Sequence, residues 1–138
     1  MEEKPFYNET LKLFSYVSEG NFTDLANLCD DDFGIVDIDT DGKSKMIRTR
    51  IEWENWFHEL FGKLKAIGAT TDTEILAYQS LKTQDLGYSV VEFCQRLRVG
   101  GKVGNFFCVV TIIWKLSADN QWQESRWHAS LLKEEWQA

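Results

Sequence analysis

The sequence predicts an α+β domain, with helices in its first half packed on a curved, mainly antiparallel β-sheet formed by its second half. Three observations lead there. Apolar residues up to Ile67 recur at helical spacing. From Ala69 onward the pattern changes to β-branched and aromatic runs. Those runs are separated by short polar turns, and short hairpin links make the strands they join antiparallel neighbours.

Pro5 to Ser18 read as the first helix. Pro suits the first helical turn, Phe6, Leu13, Phe14 and Val17 share a face, and Gly20 supplies the stop. Asn21 caps a short second helix whose buried face is Phe22, Leu25, Ala26, Leu28 and Cys29, and Asp30, Asp31 and Asp32 end it. Phe33 to Ile38 is a short strand running into the turn Asp39-Thr40-Asp41-Gly42. The basic run Lys43, Lys45, Arg48 and Arg50 reads as part of a solvated turn. Thr49 and Glu52 have capping-box spacing and open a third helix. Its apolar stripe is Trp53, Trp56, Phe57, Leu60, Phe61, Leu64 and Ile67, and Gly68 ends it. Four strands follow, at Thr70–Tyr78, Tyr88–Leu97, Asn105–Leu116 and Trp122–Leu132. Turns at Val99-Gly100-Gly101-Lys102 and Ala118-Asp119-Asn120-Gln121 divide the last three.

One strand carries extra information. Phe106 to Trp114 is apolar on both faces, whereas an antiparallel strand usually keeps one wet face. The third helix can cover one side. A second copy of the chain is the economical cover for the other, so a homodimer is expected.

The chain has 138 residues, the size of one domain, and positions 1–138 read as a single domain without repeats or linker. Six Trp and nine Phe exceed what a small core needs, and aromatic side chains also wall pockets and interfaces. A net charge of −7 opposes binding to nucleic acid and to anionic membranes. No apolar run approaches the ~20 residues of a membrane span. Three cysteines (Cys29, Cys94 and Cys108) and two histidines offer no zinc spacing, so no cofactor or metal is expected. Free thiols and the absence of an apolar leader point to the cytoplasm. Asp37-Ile38-Asp39-Thr40-Asp41-Gly42 imitates the start of a calcium loop, but its twelfth position is Arg48 where a Glu is needed.

Several local motifs, in order, resemble the nuclear transport factor 2-like superfamily, which includes ketosteroid isomerase-like and SnoaL-like proteins. They are Tyr16-Val17-Ser18-Glu19-Gly20-Asn21-Phe22, then Asp31-Asp32-Phe33, then Thr111-Ile112-Ile113-Trp114 followed by Trp122 to Ser130. The resemblance spans nearly the whole chain. It implies a cone-shaped fold with three N-terminal helices, and a pocket between the third helix and the concave sheet face. It also implies a base position that ungapped counting from Gly20 puts at Asp37 and the Asp-x-x-Gly turn puts at Asp39. The oxyanion Tyr of the isomerases has no match: the count lands on Leu13, and the nearest Tyr is Tyr16.

Asp37, among apolar neighbours, is the first candidate for proton transfer, because a dry carboxylate holds its proton near neutral pH. His128 is the second, placed by strand alternation on one face with Trp122, Glu124, Arg126 and Ser130. Arg126 could hold an anionic group of a ligand. Trp53 and Trp56 from the helix, and Tyr78, Glu92 and Trp114 from the sheet, are candidate lining. His58 reads as solvent-facing. The first expectation is a domain that binds a small apolar or aromatic molecule. The alternatives are a cofactor-free isomerase, dehydratase or cyclase using Asp37 or His128, and a protein-interaction domain using the open sheet face.

Overall fold

A computed structural model describes residues 4–38 and 43–137. Helices α1 (Tyr7–Glu19) and α2 (Phe22–Leu28) lead into strands β1 (Cys29–Ile38) and β2 (Ser44–Ile47). Helix α3 (Arg50–Ala66) follows, then β3 (Thr70–Lys82), β4 (Leu86–Val99), β5 (Lys102–Leu116) and β6 (Trp122–Gln137). The architecture is α+β, as the sequence predicts. The strands form one sheet in the order β2-β1-β6-β5-β4-β3. Every pairing is antiparallel except β1 with β6, which is parallel.

The helix boundaries follow their caps. Asn21 accepts from the Asp24 amide at 3.3 Å and opens α2. Thr49 accepts from the Glu52 amide at 3.2 Å and donates to the Glu52 carboxylate at 3.0 Å, which starts α3 where the spacing predicts it. Gly20 ends α1 in the left-handed region at φ 67°.

Three expectations change. The basic run after the turn is not all loop: Ser44–Ile47 forms β2 and pairs antiparallel with Ile35–Ile38. Only Ile47 of that strand is buried, so its polar sequence hides a solvent-facing edge strand. β1 begins at Cys29 rather than Phe33, because the three aspartates lie along a strand with exposed side chains at Asp31 and Asp32. Ile67 is 58% exposed and is not part of the buried helix face. The turn Asp39–Gly42, with the calcium-like run it completes, lies outside the described residues.

The core lies between the helices and the inner face of the sheet. Leu13, Phe14, Leu25, Phe33, Trp53 and Phe57 meet Val91, Phe93, Val110, Ile112 and Trp114 there. Phe6 stacks on Trp114 with ring centroids 5.6 Å apart and meets the edge of Trp122 at 4.9 Å. That burial holds Phe6 at φ 64°, an uncommon conformation for a bulky residue. Gly87 makes the approach possible, since a Cβ there would lie 2.5 Å from the Phe6 ring and from the Leu81 carbonyl.

β5 confirms the two-sided reading of its sequence. Val110, Ile112 and Trp114 are buried on the inner face, while Phe107, Val109 and Ile113 alternate outward and are half-buried. Tyr88 and Leu132 on the flanking strands are exposed. The helices cover the inner face and leave this outer apolar band accessible.

Candidate ligand cavity

A cavity of about 490 Å³ lies between α1, α3 and the inner face of the sheet. That is within the range of small-molecule sites. α1 contributes Leu13, Phe14 and Val17, and α3 contributes Trp56, Phe57, Leu60 and Leu64. Phe93, Gln95 and Leu97 line it from β4, Phe106 and Cys108 from β5, and Glu124, Trp127, Ala129 and Leu131 from β6. Helical spacing on α3 and alternation on the strands bring these residues to one space. The wall is aromatic: Phe14 lies 4.9 Å from Phe93, and Trp56 lies 5.2 Å from Phe57.

The titratable groups of the wall are carboxylates and one thiol. Asp37 is half-buried, and its Oδ2 accepts from the Trp127 indole at 3.0 Å. Burial, and then the Asp37 charge, push the Cys108 thiol up to about 11. Glu134 stands at the exposed end and accepts from the Trp136 indole at 2.8 Å. Glu124 stands at the buried end and is only 1% exposed. Its Oε2 lies 3.5 Å from Cys29 Sγ, which is also 3.3 Å from the Leu25 carbonyl, so one S–H serves two acceptors. Among the described residues Glu124 Oε1 has no hydrogen-bond partner. Burial raises the Glu124 carboxyl to about 8, against a small opposing pull from the Cys29 contact. The Cys29 thiol is itself driven strongly upward, by burial first and by Glu124 second.

Of the residues singled out from the sequence, the cavity wall takes Asp37 and Trp56. Trp53 is fully buried beneath the helix, edge-on to Phe33 and covered by the Arg50 guanidinium. Trp114 is fully buried in the core and donates to the Ser89 hydroxyl at 3.0 Å. Tyr78 is half-buried, donates to the Pro5 carbonyl at 2.5 Å, and has its hydroxyl held above its ordinary pKa by burial. Glu92 is exposed on the outer face. His58 faces solvent, as expected, with its ring 3.9 Å from that of Phe22.

His128 and Arg126 require a correction of face. Simple alternation puts them with Glu124, but β6 carries an extra residue at Ser125, where Ile113 pairs with Arg126 and Trp114 pairs with Glu124. The bulge reverses the parity of the residues after it, until a second irregularity at Leu132 restores it. Glu124 therefore faces inward, and Arg126 and His128 face outward with exposed side chains. They border a second depression of about 710 Å³ on the outer face, with Asp32, Met46 and Arg48. Arg126 bonds there to the carbonyl and carboxylate of Asp32. The sheet separates this pair from Asp37.

Sequence reasoning missed Glu124 and Trp127 as cavity residues. A lone carboxylate between Trp122 and Trp127 was the available signal for Glu124, and the unseen bulge hid the inward facing of Trp127.

No family model matches the sequence, and no curated protein matches it. Solved structures do. A candidate calcium/calmodulin-dependent protein kinase II association domain from Xanthomonas campestris aligns with a TM-score of 0.76 at 15% identity, over 95% of this chain and 93% of its own. An NTF2-like protein with a cystatin-like fold from Novosphingobium aromaticivorans aligns at 0.72 and 13% identity, over 90% of this chain and 77% of its own. A candidate ketosteroid isomerase from Shewanella frigidimarina aligns at 0.71 and 18% identity, over 88% and 92%. The chain thus has the nuclear transport factor 2-like, cystatin-like fold, as its motifs imply. The same fold carries unrelated activities, so activity must be argued from the cavity.

Among the described residues, no helix is long and apolar enough to cross a membrane. No group of three or more His, Cys, Asp or Glu among them is placed to hold a metal.

Proposed function

We propose that this protein binds a small apolar or aromatic molecule in the cavity between α3 and the concave sheet face. The observation that carries the reading is the aromatic-walled cavity of about 490 Å³, lined at its buried end by Glu124, whose Oε1 has no hydrogen-bond partner among the described residues. A packed core leaves few voids larger than a water molecule, and a buried polar atom normally has a partner. An occupant accounts for both departures. The test is a fluorescence titration with the neutral probe N-phenyl-1-naphthylamine. Saturable enhancement at one site per chain supports the reading, and enhancement that never saturates refutes it.

A second reading is catalytic. Asp37 borders the same cavity with one oxygen held by Trp127, and a carboxylate at an apolar wall can move a proton to or from an occupant. Similarity in fold to a candidate ketosteroid isomerase fits this reading. A role for His128 would use the outer depression instead, and Trp53, Trp114 and Tyr78 would act as support for the wall. Isomerisation of a Δ5-3-ketosteroid, followed by the conjugated enone absorbance, tests the isomerase form; no rise above buffer removes it.

We further propose a homodimer through the outer face, where Phe107, Val109 and Ile113 form the uncovered band. The reduced thiols Cys29, Cys94 and Cys108 suit the cytosol, where we place the protein.

A further inference from the structure

We propose that the occupant of the cavity is an organic cation, an apolar body carrying a protonated amine that reaches Glu124. The inference rests on the ligand-binding reading above and names the ligand's charge. Among the described residues, the three carboxylates Asp37, Glu124 and Glu134 border the cavity, and no Lys, Arg or His does. Glu124 lines the buried end of the cavity, and its Oε1 lacks a hydrogen-bond partner among the described residues. The other oxygen has only a share of the Cys29 thiol.

Among the described residues no Lys, Arg or His bonds to Glu124, although the charge of Arg50 acts on the neighbouring Cys29 thiol. β1 brings Cys29 and Asp37, β5 brings Cys108, and β6 brings Glu134. The cavity faces of α1 and α3, and of β3 and β4, carry no titratable group. Arg50 is turned to Trp53, Asp31 and Glu54, and Lys115 pairs with Asp30 at 3.8 Å. A buried carboxylate without a partner is strongly unfavourable, and an ammonium group is the partner that removes the penalty. Trp56, Phe57, Phe93 and Trp127 suit the same ligand, because aromatic faces attract cations. Among the described lining residues, an anion would meet the carboxylates Asp37 and Glu134 and no Lys, Arg or His.

Binding of the amine also sets a pH dependence. A charged amine pairs with ionised Glu124 and must expel its proton below about pH 8. Affinity then scales with the ionised fraction, which falls roughly 25-fold between about pH 8.5 and about pH 6.5.

Calorimetric titration with 1-naphthylmethylamine, 1-naphthylmethanol and 1-naphthylacetate tests the proposal. These probes share an aromatic body and differ in charge. At about pH 8.5 the amine should bind at least about tenfold tighter than the alcohol, and the carboxylate weakest. The amine's affinity should fall with pH as above while the alcohol's stays level. In Glu124→Gln the amine should bind no better than the alcohol binds to the same variant. If alcohol and amine bind equally in the wild-type protein, the cation is wrong and the ligand-binding reading stands. If none binds, both fall. The comparison of amine with alcohol in the wild-type protein decides the matter even where the variant does not fold.

Discussion

Replacing Glu124 with Gln should make folding stability less dependent on pH, and the size of the effect follows from the burial of one side chain. Unfolded, this carboxyl titrates near its ordinary value of 4.5; folded, it titrates near about 8. Below the first value both states are protonated and the residue contributes no pH dependence. Between the two values the unfolded chain releases the proton and the folded chain keeps it, so stability falls as pH rises. Above the second value both are ionised and the loss is complete. The full window corresponds to about 5 kcal/mol, an upper figure because water entry and relaxation soften the penalty. Gln keeps the shape and does not titrate. Urea unfolding of both proteins across this window should give near-equal stabilities at its acid end, within about 1 kcal/mol for the altered hydrogen bond. At its alkaline end the variant should be the more stable by several kcal/mol. Taking the difference between the two proteins cancels the other titrating groups. Parallel pH profiles would refute the claim that Glu124 is buried and protonated in the unliganded fold.

Three further outcomes follow from local geometry. Gly87→Ala puts a Cβ against the Phe6 ring and the Leu81 carbonyl, and should lower stability by about 1–3 kcal/mol in thermal unfolding. Asp37→Asn removes a charged acceptor from the Trp127 indole; it should shift tryptophan emission and lower stability by about 1 kcal/mol, with Asp37→Ala costing more. Val109→Lys, in the middle of the outer apolar band, should leave the fold intact and convert a dimer to a monomer in analytical ultracentrifugation; an unchanged sedimentation coefficient for a wild-type dimer would place the interface elsewhere.

The sequence exposes its fold wherever local chemistry and tertiary packing agree. Thr49 and Glu52 cap α3 as their spacing requires, and α3 then carries Trp53 and Phe57 into the core. The run Phe106 to Trp114 is apolar on both faces because one face meets the core and the other forms an outer apolar band. Failures arise where a strand is defined by its partner rather than by its residues. Ser44–Ile47 has the composition of a loop and becomes a strand only by pairing with β1. At Ser125 one extra residue in β6 reverses the facing of Arg126 and His128, and no periodicity within the strand announces it. The candidate site is therefore half legible. Asp37 and Trp56 border the cavity, whereas the bulge set by pairing to β5 hid the inward facing of Trp127 and the outward facing of Arg126 and His128.

The most direct test of the ligand-binding account is a crystal structure of the complex with N-phenyl-1-naphthylamine. The account predicts the probe between α3 and the inner face of the sheet, against Trp56, Phe57 and Phe93, with Glu124 at the buried end of the same space. Probe bound on the outer face beside Arg126 and His128, with the inner cavity closed by its own side chains, would contradict it.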